Sequence, residues 1–304
     1  MKTLYITPLL LALSIGQAFA STPINLSKDV RPTAKISIDN TKGEVTVTAW
    51  DKNQVQVTGT LGDGARPLEL EGDANNIDIR VETGSGKNGS WFGWGNDTRM
   101  QPTVLNVRVP KSVQLEVNVV SAPVSIDGLD GGKISVDSVS GRIRANLRSP
   151  EVSMQTVSGT IDLAGNAGKA DLQTVSGDIT APSISDKIEA QTVSGRMTIG
   201  GGPWKDANFS TVSGDTKIVG GISAGGKLTV DSMSGDVELG LPGSTSARLE
   251  ASTFSGDLRS DFGSPTKGDD GPGKELKTTI GSGGDGKIHV EAFSGDVKIR
   301  RGGN

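Results

Sequence analysis

With a single histidine, His289, and no cysteine among 304 residues, the chain has little with which to perform covalent chemistry. Thiolate nucleophiles, disulfides, zinc–thiolate sites and iron–sulfur clusters are excluded with the thiol. A Ser-His-Asp triad would have to recruit His289, whose neighbours place it in a polar, outward-facing column. Carboxylates are plentiful, at 35 Asp and Glu, and cleaving a polysaccharide needs two of them across one groove. Asp231 with Asp236, or Glu250 with Asp257, could face one groove, but no asymmetry marks either pair as catalytic. A polysaccharide-acting enzyme is therefore the competing class, and a non-enzymatic protein the main expectation.

A second array follows a recurrent Ser-Gly pair. The residue after the glycine is Arg142, Thr160, Asp178, Arg196, Asp215, Asp236, Asp257 or Asp296. Stacked Asp215, Asp236 and Asp257 would repel, and a cation could offset them; Lys217 and Arg259, two residues on, could do so by diagonal pairing. Neither the nine-residue calcium-roll pattern nor an EF-hand loop is present, so no metal site and no cofactor is expected.

Recognition is better provided for than catalysis. Trp91, Phe92 and Trp94 sit in the glycine- and serine-rich segment 84–96, where aromatic rings either grip a partner or fold back as a lid. The residue immediately before Ser-Gly is apolar in every copy: Val139, Val157, Val175, Val193, Val212, Met233, Phe254 and Phe293. Strict alternation points this column outward as a stripe larger than a monomer usually exposes, which suggests a partner surface. A roll of the chain at the turn would instead tuck it inward.

The elements that must position these residues are set by an internal repeat. Ser-Gly recurs at Ser140, Ser158, Ser176, Ser194, Ser213, Ser234, Ser255 and Ser294, at steps of 18 to 21 residues and a last step of 39. That last step is read as two periods, with a degenerate copy around 276–280. A weaker copy, Val120-Ser121-Ala122, precedes the first. Six and four residues before each serine the positions are apolar (Ile134 and Val136, Val152 and Met154, Leu228 and Val230), with polar residues between them. After the glycine the alternation resumes, as in Ile143 and Ala145 or Ile161 and Leu163. This is the period of a strand with one wet face. Frequent glycine, threonine and valine oppose a helix. Two-strand units of this length cannot bury an apolar face alone and must share a core. Parallel in-register stacking explains why whole columns keep one character, including the small hydroxyls Ser138, Thr156, Thr174, Thr192, Thr211, Ser232 and Thr253. The expectation is an all-β protein, a parallel β-solenoid with two-strand rungs of 18–21 residues.

Three segments follow from this reading. Residues 1–20 read as a signal peptide: Lys2, the apolar stretch 4–15, and the small-x-small site Ala18-Phe19-Ala20. The apolar stretch falls short of a bilayer span, so no transmembrane anchor is expected after cleavage, and the protein should be periplasmic or secreted. Residues 21–120 are β-rich without the repeat and are expected to cap the first rung, followed by repeats over 121–304. Lys298, Arg300 and Arg301 would discourage end-to-end pairing at the far end. A net charge of −4 with scattered basic residues gives no reason to expect nucleic acid.

Gly43-Glu44-Val45-Thr46-Val47, Arg108-Val109-Pro110 and units such as Thr174-Val175-Ser176-Gly177-Asp178 together resemble the bacterial putative-adhesin family of unknown function. The resemblance implies an exported, adhesin-like β-solenoid with no catalytic residues to carry over. The expected partner is a protein or polysaccharide of the cell envelope.

Overall fold

The computed structural model describes residues 22–82, 101–268 and 272–302, which are all strand and turn. The first strands are β1 (Thr22–Asp29), β2 (Lys35–Trp50), β3 (Gln54–Leu61), β4 (Leu70–Gly72), β5 (Asn76–Arg80), β6 (Thr103–Pro110), β7 (Gln114–Ser121), β8 (Val124–Asp130) and β9 (Lys133–Ser140). Then come β10 (Ile143–Ser158), β11 (Ile161–Ser176), β12 (Ile179–Ser194), β13 (Met197–Ser213) and β14 (Thr216–Ser234), each running from one Ser-Gly to the next. The expected looser turn inside each repeat is therefore a bend within continuous strand. In β10 the buried positions are Ile143, Ala145, Leu147 and Ser149, then Val152, Met154 and Thr156. The inward phase switches at this bend and again at Ser-Gly, so each winding contributes two walls to one core.

The chain closes with β15 (Val237–Leu241), β16 (Ala247–Ser255), β17 (Leu258–Ser260), β18 (Thr266–Lys267), β19 (Lys274–Ile280), β20 (Lys287–Ser294) and β21 (Val297–Arg301). Neighbouring windings pair in parallel and in register: Ile143 faces Ile161, Thr156 faces Thr174, and Ser158 faces Ser176. One wall stacks eleven parallel strand segments from β6 through β2, β8, the first halves of β10 to β14, β15 and β21 to β17. At ~4.8 Å per step the stack is roughly 50 Å long. The second wall runs from β5 through β2, β7, β9, the second halves of β10 to β14, and β20 to β16. The parallel β-solenoid read from the sequence is the observed fold.

The core is made of the predicted columns. Ile134, Val152, Ala170, Ile188, Ala207, Leu228, Leu249 and Ile288 are all buried, as are Val136, Met154, Leu172, Ala190, Phe209, Val230, Ala251 and Val290. Burying each Val, Leu or Ile contributes about 1.5–3 kcal/mol. Size varies along a column where rungs compensate: Phe209 lies beside Ala190. Trp204, fully buried at a widened corner, donates from Nε1 to the Ile184 carbonyl at 2.8 Å and packs edge-on against Phe209.

Spatial order departs from sequence order at both ends. β20 lies between β14 and β16, and β21 between β15 and β17, so the last winding is inserted before the one that precedes it in sequence. The segment around 276–280 is consequently not a degenerate rung. As β19 it runs antiparallel to β16, with Leu276 opposite Ala251, and covers the open edge. Lys298, Arg300 and Arg301 accordingly lie on β21, between β15 and β17, and do not guard the end. At the other end β2 sits between the β5/β6 winding and the β7/β8 winding, so β2, β5 and β6 extend the solenoid itself. Sequence order hid these windings because Asn40-Thr41-Lys42-Gly43 replaces Thr-Val-Ser-Gly, with Lys42 in register with Ser121. Antiparallel β3 and β1 close one wall, and β4 closes the other.

Candidate interaction surface

The tight corner of each winding is fixed by its glycine. Gly177 has φ +153° and approaches the preceding winding so closely that a Cβ there would lie 1.9 Å from the Gly159 carbonyl oxygen. The buried hydroxyl column lies beside this corner. Thr174 donates to the Gly159 carbonyl at 3.3 Å and Thr253 to the Gly295 carbonyl at 3.0 Å, linking one winding to the next. With threonine turned inward and glycine pressed against its neighbour, the residue between threonine and serine has nowhere to go but out.

Val139, Val157, Val175, Val193, Val212, Met233, Phe254 and Phe293 are 44–60% exposed, as is Val120 of the weaker copy. The chain does not tuck the column inward. The register makes these nine residues a line along the solenoid, with Phe293 between Met233 and Phe254. Phe254 and Phe293 stack 5.1 Å apart and 7° from parallel. Beside the ridge runs an open trough of about 480 Å³, flanked by Asp137, Gln155, Gln173, Gln191 and Ser210. Asp171 and Glu189 accept hydrogen bonds from the Gln173 and Gln191 amides at 2.9 and 2.7 Å and orient that polar flank. Burial pushes the Asp137 carboxyl above its usual value, and the Glu116 charge adds to the effect.

Trp91, Phe92 and Trp94 lie outside the described residues. The ends of their segment are placed: it leaves after β5 on one wall and returns to β6 on the other. The aspartate column after the glycine has a structural use. Asp178 accepts from the Arg196 backbone N–H at 2.8 Å, Asp215 from that of Asp236 at 3.2 Å, and Asp236 from that of Asp296 at 2.9 Å. Of the two expected diagonal pairings, Arg259 meets Asp257 at 3.3 Å, while Lys217 approaches Glu238 at 3.8 Å. Asp231 is brought to His289 and Glu291. Sequence reasoning missed that grouping because it depends on the inserted winding.

Among the described residues, no helix is long and apolar enough to cross a membrane. No curated protein matches the chain. Among solved structures, a putative adhesin from Bacteroides fragilis is 14% identical, with a TM-score of 0.40, over 92% of this chain and 98% of that one. A putative adhesin from Parabacteroides distasonis is 12% identical, with a TM-score of 0.38, over 92% of this chain and 98% of that one. A putative lipid binding protein from the same organism is 12% identical, with a TM-score of 0.41, over 92% and 97%. The family model for Toastrack DUF4097 matches residues 33–300, nearly the whole stack of windings, and the chain belongs to that β-solenoid family, whose function is unknown.

Proposed function

We propose that this protein is an exported, non-enzymatic, adhesin-like solenoid that holds a macromolecular partner of the cell envelope or cell surface along its apolar ridge. The carrying observation is the continuity of the ridge: nine apolar side chains, 44–60% exposed, lie in one line on a rigid frame. Such a line exceeds the scattered apolar exposure of an ordinary monomer surface. Its contacts are shallow and repeated, so affinity comes from length instead of a single pocket.

A protein partner suits this surface better than a polysaccharide. Sugar rings are gripped by open aromatic faces, whereas Phe254 and Phe293 turn faces toward each other. What remains along the line is valine methyls and the Met233 side chain, complementary to apolar protein side chains. Trp91, Phe92 and Trp94 belong to the same proposal as contacts at the β5-to-β6 crossing.

The test is in-cell photocrosslinking from position 175, compared in the parent and in a Val157→Lys/Val193→Lys variant. One captured protein, lost in the variant while the fold persists, is the expected result. Capture of polysaccharide alone, or a crosslink unchanged by the lysines, overturns the protein-ridge reading. Time-dependent cleavage of an envelope polysaccharide, abolished by one Asp substitution, overturns the non-enzymatic one.

A further inference from the structure

Asp231 on β14 and His289 and Glu291 on β20 bring one imidazole and two carboxylates together, with their ligand atoms all within 4.8 Å of one another. The grouping is a product of the inserted winding. Asp231 is in register with Glu291, and His289 and Glu291, two residues apart on one strand, share its outer face. Stacking in sequence order would have set Asp231 beside Ser252 instead. His289 Nε2 lies 3.6 Å from Glu291 Oε2.

Among the described residues, neither Asp231 nor Glu291 pairs with a lysine or arginine, which is also true of Asp171, Glu189 and Glu250 on the same wall; what distinguishes the cluster is the imidazole between its carboxylates. Thr229, in register with His289, has a hydroxyl shielded from solvent with no hydrogen-bond partner. Glu250 stands in register with His289 from the other side, on β16.

We propose that Asp231, His289 and Glu291 bind a divalent transition-metal ion of the zinc class, with one imidazole nitrogen and one oxygen from each carboxylate as ligands and water completing the shell. An imidazole with two carboxylates suits zinc; calcium calls for six to eight oxygens. Donor atoms around zinc sit roughly 3.3 Å apart, a closure that half-exposed side chains reach by rotation. A bound ion ties β20 to β14 and so fastens the inserted winding. This inference does not depend on what the ridge binds.

Zn²⁺ titrated by calorimetry into the protein carrying no polyhistidine tag tests it. With one histidine and no cysteine in the chain, background chelation is low. One saturable site per chain is expected, abolished by His289→Ala and weakened about tenfold or more by Asp231→Asn. Bound zinc is also expected to slow amide exchange over 287–294 in the parent and not in His289→Ala. Thermal melts of both variants in chelator should match the parent. Absence of saturable binding below about 1 mM, equal binding by His289→Ala, or equal displacement by Ca²⁺ each overturns the proposal.

Discussion

The backbone N–H of Asp257 donates to Oδ1 of Asp296 at 2.9 Å, so the residue later in sequence caps the earlier one. The same bond joins Asp296 to Asp236 and Asp236 to Asp215. The aspartate ladder therefore follows spatial order through the inserted winding. A column that reads as a row of repelling charges is a row of caps: the Asp215, Asp236 and Asp296 carboxylates are each spent on the amide of the next winding, and Asp257 at the end of the row pairs with Lys274 and Arg259.

Asp296→Ala removes the cap on Asp257 and is expected to cost about 1 kcal/mol in urea unfolding. Asp296→Asn keeps an acceptor oxygen and relieves repulsion from Asp236 and Asp257, so its loss should be smaller. Equal losses in the two variants would reject the ladder.

Two members of the hydroxyl column separate a made bond from an unmade one. Thr253 donates at 3.0 Å to Gly295, while the Thr156 hydroxyl is buried without a partner. Thr253→Val should cost about 1 kcal/mol, and Thr156→Val should be neutral or stabilising, because losing an unsatisfied buried hydroxyl costs nothing. Denaturant midpoints of the pair decide this, and a reversed order would be fatal to it.

Gly177→Ala should destabilise by more than about 2 kcal/mol, because its φ is positive and its Cβ would overlap the Gly159 carbonyl. Gly225, with φ +71° and open space around it, should lose only about 1 kcal/mol on the same change. Thermal melts showing the two equal would mean that the close approach between windings is not what fixes the corner.

On the ridge, Val175→Lys should leave the melting temperature nearly unchanged while lowering the binding of a hydrophobic dye, since the methyls face water. Phe293→Ala should lose about 0.5–1.5 kcal/mol with the Phe254 stack. A cooperative loss of several kcal/mol for Val175→Lys would mean the column is buried.

Acid should weaken the fold. Hydrogen bonds from Lys35 and Lys133 hold the Glu116 and Glu151 carboxyls below their usual 4.5, and Lys205 and Lys274 do the same for Asp186 and Asp257 below 3.8. Depressed folded values stabilise above the unfolded ones and lose that contribution as pH falls through them. Asp137, raised by burial, acts in the opposite sense: its contribution is present below 3.8 and is lost as pH rises through its folded value. Stability should be flat from about pH 7 to 5 and decline below about 4. Glu116→Gln should shallow that decline, and an unchanged acid limb would remove Glu116 from it.

Alternation alone determined the strand period and the buried columns, because each is a local property of a side chain and its neighbours two residues away; the constancy of whole columns from copy to copy favoured the parallel stack over an antiparallel meander. Val175 was legible as a candidate contact for the same reason, but its exposure was not: a turn can roll either way, and only the inward Thr174 and the close packing of Gly177 settle the direction. The order of windings was beyond the sequence. All copies present nearly the same edge, so Ser294 pairs as well with Ser234 as with Ser255, and sequence adjacency does not choose between them. Tertiary packing chose, placing β19 over the last edge and setting Asp231 beside His289.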